Sequence, residues 1–250
     1  MKISTVSVSV PVSGLQRRVS IGFASDFHIR RKKEIPAIIE ALERLDTDCL
    51  LLGGDYCEEA DLVEPFFAEV TELKRRAFAV WGNNDLPFER ELLRAGRRWR
   101  EDDPEEGRVC WLFDDLLRRE GYFLAGLSHL KRPDLPENRL VFSQRPLLIL
   151  AHTPDAILRL SKTEDVTLLA GHSHGGQVRL PFVPWWWSHT KLGYRHGEGL
   201  SRRGRNVLFV GRGIGCSMFE IRNVPREVYR ITLVPEGEWE RDGKGDGGGS

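Results

Sequence analysis

The segment Gly171-His172-Ser173-His174-Gly175-Gly176-Gln177 places two histidines among glycines, directly after the apolar run 166–170. An apolar run of this length that ends in glycine is typical of a buried β-strand. We therefore expect His172 and His174 just beyond the carboxyl end of a strand, where glycines allow a tight turn. Neutral imidazole is a common metal ligand. Taken alone, however, the segment is equally consistent with two histidines in an ordinary turn.

Four further apolar runs also lead into Asp, Asn or His. The runs are 20–24, 49–52, 77–81 and 147–151, and the residues that follow them are Asp26, His28, Asp55, Asn83, Asn84, Asp85 and His152. Loops at the carboxyl ends of strands carry the functional groups of α/β proteins. Because all five runs deliver such residues at the same end, the sequence predicts a metal site.

In chain order these motifs are Asp-x-His, Gly-Asp, Gly-Asn-x-Asp, His and Gly-His-x-His. They resemble the calcineurin-like metallophosphoesterases over about residues 19–235. The longer string 171–182 is similar to a bacterial branch of membrane-associated phosphodiesterases and UDP-diacylglucosamine hydrolase-like proteins. The resemblance implies an α/β fold in which two packed mixed β-sheets are flanked by helices, a four-layer αββα arrangement. We expect this domain over residues 1–235 and a disordered tail over the Gly-rich residues 236–250.

The resemblance also implies a dinuclear metal site. Matching the motifs assigns one metal ion to Asp26, His28 and His174, the other to Asn83, His152 and His172, and a bridging position to Asp55. Mixed imidazole and carboxylate ligands suit Mn, Fe or Zn better than Mg, and we expect two Mn ions. Such a pair lowers the pKa of a bridging water and clamps a phosphoryl group. The expected reaction is hydrolysis of a phosphodiester or pyrophosphate bond by a metal-bridging hydroxide.

Asn84 departs from the family, which usually has a His here that contacts the phosphate and protonates the leaving group. An amide has no proton to give at neutral pH, and loss of a general acid costs about 10² to 10⁴ in rate if the leaving group needs a proton. Asn84 therefore favours a pyrophosphate or an activated ester, unless His129, His189 or His196 supplies the proton. The predicted catalytic residues are Asn84, Asp85 and His129.

Three adjacent tryptophans, Trp185, Trp186 and Trp187, follow the central motif. Neighbouring side chains point in different directions on a regular backbone, so the three cannot all face one core. Trp is favoured at membrane interfaces, which favours a lipid-linked substrate and peripheral membrane contact. The alternative to membrane contact is that the three tryptophans form a lid folded onto the protein's own core. The alternative to a lipid-linked substrate is a nucleotide diphosphate.

The amino-acid composition argues against several classes of function. The chain has 37 basic and 37 acidic residues among 250 and lacks a basic stripe, which disfavours nucleic acid and hence a nuclease. No apolar run reaches the length of a membrane-spanning helix. The four cysteines match no zinc motif and favour a reducing compartment, so we expect a cytoplasmic protein, peripheral to the inner face of the membrane. A catalytically weakened metal-binding scaffold is the non-enzymatic alternative, and its intact ligand set argues against it.

Local patterns predict most of the elements. Apolar residues at helical spacing predict helices over 34–45 and 62–73, and alternation predicts a strand within 1–12. The arginine-rich stretch 90–100 is expected to be a solvated helix, with a binding surface as the alternative, and 109–117 is ambiguous between strand and helix. Further predictions are a short helix over 156–160 and strands over 122–127, 178–180, 207–210 and 228–234.

Overall fold

The computed structural model describes residues 1–73, 75–98, 109–127, 142–179, 190–217 and 220–242. The strands in these ranges are β1 (Ser4–Val12), β2 (Val19–Ala24), β3 (Cys49–Leu52), β4 (Arg76–Ala79), β5 (Arg97–Arg98), β6 (Val109–Trp111), β7 (Leu116–Arg119), β8 (Tyr122–Leu127), β9 (Leu147–Ala151), β10 (Val166–Ala170), β11 (Gly199–Arg203), β12 (Asn206–Val210) and β13 (Glu227–Pro235). The α-helices are α1 (Ile35–Glu43), α2 (Val63–Glu72), α3 (Glu89–Ala95) and α4 (Glu236–Asp242).

The strands form two sheets, and both are mixed. The first sheet has the order β1-β13-β2-β3-β4-β6-β5, in which β13 and β2 are antiparallel and β2, β3, β4 and β6 run parallel to one another. The second has the order β11-β12-β10-β9-β8-β7, with a parallel centre and an antiparallel strand at each edge. The alternation β2-α1-β3-α2-β4 that the sequence predicts is confirmed.

The two sheets pack face to face. Phe23, Leu51 and Phe78 of the first sheet share one buried cluster with Leu150 and Phe209 of the second. The central strands β3, β9 and β10 are buried at every position, and burial on both faces of a sheet explains why they read as continuous apolar runs rather than as alternating patterns.

Helices cover the outer faces. Residues three or four apart, such as Ile35, Ile38 and Leu42 of α1, are buried against the outer face of the first sheet. On the second sheet a 3-10 helix over Pro154–Arg159 buries Ala156 and Ile157. The predicted α/β fold of two mixed sheets flanked by helices is therefore confirmed. Among the described helices, none is long and apolar enough to cross a lipid bilayer.

The parallel strands bring five loops to one edge of the two sheets. The backbone N–H of Gly53 donates to Ala24 O at 2.8 Å, so the loops after β2 and β3 lie side by side. In the second sheet the N–H of Gly171 donates to His152 O at 3.0 Å, which joins the loops after β9 and β10. The backbone N–H of His172 then donates to the Asp26 carboxylate at 2.9 Å, joining one sheet to the other.

The structure corrects several local predictions. The expected disorder from residue 236 is wrong for Glu236–Asp242, which form α4, because Trp239 is half-buried and Glu238 accepts a 2.9 Å hydrogen bond from Arg18. A strand is expected over 178–180, but residues 178 and 179 form no β-strand, and residue 180 lies outside the described residues. The ambiguous stretch 109–117 is two short strands, β6 and the start of β7.

The helix expected over 90–100 ends early. α3 stops at Ala95 because the backbone of Gly96 is extended (φ −145°, ψ −179°), and the described chain continues into the short strand β5. His129, His189 and the three tryptophans Trp185, Trp186 and Trp187 lie outside the described residues.

Candidate metal centre

The first group of predicted ligands comes together as expected. Asp26, His28 and His174 each offer one ligand atom, and these atoms lie within 4.8 Å of one another. Asp26 Oδ1 is 3.7 Å from His174 Nε2, and all three side chains are buried. The three residues stand 148 positions apart at the extremes, so β2 and β10 must lie in facing sheets to bring them together.

A second group forms beside the first. Asp55, His152 and His172 also bring one ligand atom each within 4.8 Å of the others. His152 Nε2 lies 3.1 Å from His172 Nδ1 and 3.1 Å from Asn83 Oδ1. The amide oxygen that the sequence assigns to this group is therefore in place.

Asp55 lies between the two groups. Its Oδ2 atom is 3.4 Å from His28 Nε2 in the first group and 3.4 Å from His152 Nε2 in the second. A carboxylate oxygen that faces both histidine sets is in the place that a bridging ligand requires.

The histidine rings are oriented by their second nitrogens. His28 Nδ1 lies 2.5 Å from Glu58 Oε1, and His152 Nδ1 lies 2.8 Å from Gly53 O. These contacts leave both Nε2 atoms facing the centre, and His28 Nε2 is buried without a hydrogen-bond partner among the described residues. A buried, orphaned ring nitrogen held by a carboxylate behind it fits a divalent metal ion, since ligating histidines are usually fixed in this way.

The ligand loops require unusual backbone geometry. Most of the ligands have a positive φ: Asp26 (53°), His28 (43°), Asp55 (58°), His172 (71°) and His174 (51°). Non-glycine residues seldom adopt this conformation, and it clusters at functional sites. Two glycines allow close approach, because a Cβ on Gly54 would lie 2.4 Å from Gly82 N and one on Gly82 would lie 2.1 Å from Asp55 Oδ1.

Burial and neighbouring charges shift the pKa values of the groups at the centre in different directions. Burial alone would raise the pKa of Asp55, but the neighbouring histidines outweigh it and hold that pKa well below its usual range. Burial disfavours protonated His152, yet Asp55 outweighs burial and raises the pKa of His152 to about 10. Burial, with His28 and Arg222 nearby, lowers the pKa of His174 to about 3. Because metal ligation needs neutral imidazole, binding at the second group must displace the proton from His152.

Asn84 contacts the Asp55 carboxylate with both its backbone N–H and its side-chain amide. Its backbone N–H donates to Asp55 Oδ1 at 2.9 Å, and its Nδ2 donates to Asp55 Oδ2 at 2.8 Å. Asn84 also lines the cavity over the metal ligands. The side chain is therefore tied to Asp55, and it presents no titratable group to the cavity.

Asp85, predicted as catalytic, faces the backbone instead. Its carboxylate accepts hydrogen bonds from the N–H groups of Asp55 (2.7 Å), Tyr56 (2.8 Å) and Gly82 (2.7 Å). It is fully buried and is absent from the cavity lining. Burial, together with the charge of Asp55, raises the pKa of Asp85 to about 6.

A cavity of about 360 Å³ opens over the ligands. Its lining consists of His28, Asp55, Glu58, Asn83, Asn84, His172, His174 and Ser217. His196, considered as a proton donor, is not part of this lining, and its Nδ1 lies 2.9 Å from Ser201 Oγ. Sequence reasoning missed Glu58 and Ser217, because neither belongs to a metal motif and only the fold turns them toward the centre.

Comparisons with known proteins agree with this geometry. Phosphodiesterase YaeI of Escherichia coli is 29% identical over 231 residues, which cover 85% of this chain and 81% of the relative. An uncharacterized metallophosphoesterase of Bacillus subtilis, YkuE, is 32% identical over 80% of this chain and 73% of its own length. An uncharacterized metallophosphoesterase of Helicobacter pylori is 25% identical over 90% of this chain, which spans 62% of that relative. The family model of the calcineurin-like phosphoesterase superfamily domain matches residues 19–180, and the chain belongs to this superfamily.

Proposed function

We propose that the chain is a hydrolase that uses two divalent metal ions, best fitted by Mn, to cleave a phosphodiester or pyrophosphate bond. The observation that carries this proposal is the position of Asp55 Oδ2, 3.4 Å from a histidine of each ligand group. When bound, two such ions lower the pKa of water and offset the charge of a phosphoryl group. The mixed imidazole, carboxylate and amide donors favour Mn, Fe or Zn over Mg.

Water is the proposed nucleophile. The cavity contains one hydroxyl side chain among its described lining residues, Ser217, and its Oγ pairs with Gln177 Oε1 at 3.1 Å rather than with a base. Activation of a serine nucleophile needs a base within hydrogen-bonding reach. The chain's own residues therefore act by orienting ligands and excluding bulk solvent, and no covalent intermediate is needed.

The proposed leaving group is one that departs without a proton. Asn84 occupies the position at which the family usually has a proton-donating His, and its amide nitrogen donates a hydrogen bond to Asp55. An alkoxide needs protonation and the phosphate of an anhydride does not. A pyrophosphate bond, or an ester of an acidic alcohol, is therefore the substrate that this site serves best.

We further propose a lipid-linked or nucleotide-diphosphate substrate that is met at the cytoplasmic face of a membrane. Two exposed apolar residues adjoin Gln177, which accepts a hydrogen bond from Ser217 of the cavity lining: Val178 follows it in the chain, and the Ile221 carbonyl accepts from its amide. Ile221 is 68% exposed, and the two residues support a lipid surface. The free thiols of the described cysteines favour a reducing compartment. Replacing Trp185, Trp186 and Trp187 by Ser should weaken binding to anionic liposomes and spare turnover of small esters. Equal liposome binding would contradict membrane contact.

The test of the reaction is hydrolysis of bis(p-nitrophenyl) phosphate with and without added Mn²⁺. We expect Mn-dependent turnover by the wild type and none by Asp55→Asn, which replaces the central carboxylate by a neutral amide and should lose metal from both groups. Normal metal content without turnover in the wild type would identify a scaffold. Faster turnover of single-stranded DNA than of diphosphates would identify a nuclease.

A further inference from the structure

A second cleft, of about 260 Å³, lies beside the metal cavity. The two share His28 as a common wall, and they adjoin again where Cys216 lines the cleft and Ser217 lines the metal cavity. The charged residues that line the cleft are Arg30, Arg31, Arg226, Glu34 and Glu220. Three guanidinium groups therefore face two carboxylates in a space that opens next to the proposed reaction centre.

Both carboxylates are already engaged. Glu34 Oε2 accepts the backbone N–H groups of Arg30 at 2.9 Å and Arg31 at 3.4 Å. Glu220 Oε1 accepts Arg31 Nη2 at 2.6 Å and lies farther, at 3.8 Å, from Arg30 Nη1. Arg31 is therefore neutralised by Glu220, and Glu34 is directed at the backbone rather than at a guanidinium.

The lining of the cleft holds one more guanidinium group than carboxylates, and Arg226 is the arginine without a carboxylate partner among the described residues. Arg226 donates to Ile214 O and to Cys216 Sγ, the latter at 3.2 Å, and it forms no ion pair with a described carboxylate. Arg30 donates to the carbonyls of Cys216 and Ser217, while its buried Nε has no hydrogen-bond partner among the described residues. These contacts hold both guanidinium groups in place, and they leave the charge of Arg226 without a carboxylate partner among the described residues.

We propose that this cleft binds a second anionic group, a phosphate or a carboxylate, of the same substrate molecule whose scissile phosphoryl group occupies the metal cavity. The proposal rests on the proposed hydrolase function. Guanidinium groups match the geometry of phosphate and carboxylate oxygens, and groups that are already immobilised lose little entropy on binding. The cleft thereby selects substrates with two anionic groups a short distance apart.

The test compares two matched esters, methyl p-nitrophenyl phosphate and phosphonomethyl p-nitrophenyl phosphate, which share a leaving group and differ in the second anion. In the wild type with Mn²⁺ we expect a higher kcat/KM for the phosphonomethyl ester. Arg226→Gln should reduce that preference by about 10- to 100-fold, the range expected for one charge-assisted hydrogen bond. Arg226→Lys keeps the charge and should keep most of the preference.

Arg205→Gln is the matched control. It removes the same charge from the start of β12, at the opposite end of the strand from the metal loops, and should keep the preference. An unchanged preference in Arg226→Gln, or an equal loss in Arg205→Gln, would overturn the proposal. Equal losses in Arg226→Gln and Arg226→Lys would assign Arg226 to loop structure and would also overturn it.

A binding measurement separates this proposal from the hydrolase function itself. Methylenediphosphonate should bind the metal-free wild type about 10-fold or more tightly than metal-free Arg226→Gln in calorimetry at low salt. This difference does not depend on turnover, so it can be found even in a protein that hydrolyses neither ester. Equal affinities would exclude the anion site, whereas a clear difference without any hydrolysis would retain the site and reject the hydrolase.

Discussion

The carboxylate of Asp85 accepts a hydrogen bond from the backbone N–H of Asp55 at 2.7 Å. The same carboxylate accepts the N–H groups of Tyr56 and Gly82, so one buried side chain ties the loop after β3 to the loop after β4. The position of Asp55 therefore depends on Asp85. Asp85, which the sequence predicts to be catalytic, thus contacts the backbone of the loops that carry the predicted metal ligands.

Asp85→Asn should destabilise the protein by about 2–3 kcal/mol, because an amide oxygen cannot replace both carboxylate oxygens and its NH₂ group would face backbone donors. Urea denaturation of the metal-free protein measures this loss. Asp115→Asn is the control, since Asp115 is a half-buried loop carboxylate that accepts the backbone N–H of Phe113 at 2.8 Å. Equal losses in the two variants would contradict the positioning role of Asp85.

The pair His28–Glu58 should make the stability of the metal-free protein depend on pH. The hydrogen bond with His28 lowers the pKa of Glu58, so its contribution is present above about pH 4.5 and is lost as the pH falls through the lowered value. Burial opposes protonation of His28, but Glu58 and the nearby carboxylates outweigh it and raise the pKa of His28. Its contribution is therefore full below about pH 6.5 and is lost as the pH rises through the raised value.

Glu58→Gln should accordingly cost most between about pH 4.5 and 6.5, the window in which both contributions are complete. Glu58 is partly exposed, and solvent screening limits the loss to about 1 kcal/mol. Chemical denaturation across this pH range measures it, with Glu120→Gln as the control because Glu120 pairs with Arg17 at the surface. Metal affinity should also fall, by about 10-fold or more. A loss that does not vary with pH would contradict the ion pair.

Asn84→His should introduce the missing proton donor. We expect hydrolysis of alkyl phosphodiesters to rise by about 10- to 100-fold and hydrolysis of diphosphates to change little, because only the alkoxide needs a proton. In a plot of log rate against leaving-group pKa, the slope should be steep for the wild type and shallow for the variant. Metal content must be measured alongside, since the change removes the 2.8 Å bond from Asn84 Nδ2 to Asp55. A shallow plot for the wild type would mean that another residue supplies the proton.

Deletion of residues 236–250 should lower the free energy of unfolding by about 2 kcal/mol. The truncation removes the half-buried Trp239 and the partly exposed pairs Arg18–Glu238 and Arg202–Glu236, each a modest contribution. Deletion of 243–250 alone is the control, because that stretch has no apolar side chain to bury. Thermal denaturation of both truncations checks the difference, and equal effects would show that α4 adds nothing.

The sequence by itself predicted the two mixed sheets and the residues that gather at the candidate metal centre. Apolar runs are local patterns, and a run that ends in Gly, Asp or His predicts both a strand and the loop that follows it. Parallel strands then bring such loops to one edge, which is why Asp26, Asp55 and His152 meet as expected. The seven predicted ligands could be named without any distances, because each belongs to a short motif.

Only the tertiary structure decided what surrounds those ligands. Glu58 behind His28, the two bonds from Asn84 to Asp55 and the guanidinium of Arg226 beside the centre follow no local pattern. Trp239 gave α4 a packing surface that a search for long apolar runs overlooks. These contacts join residues from separate loops and from the chain's end, and their geometry exists only after the burial of two facing sheets has fixed where each loop lies.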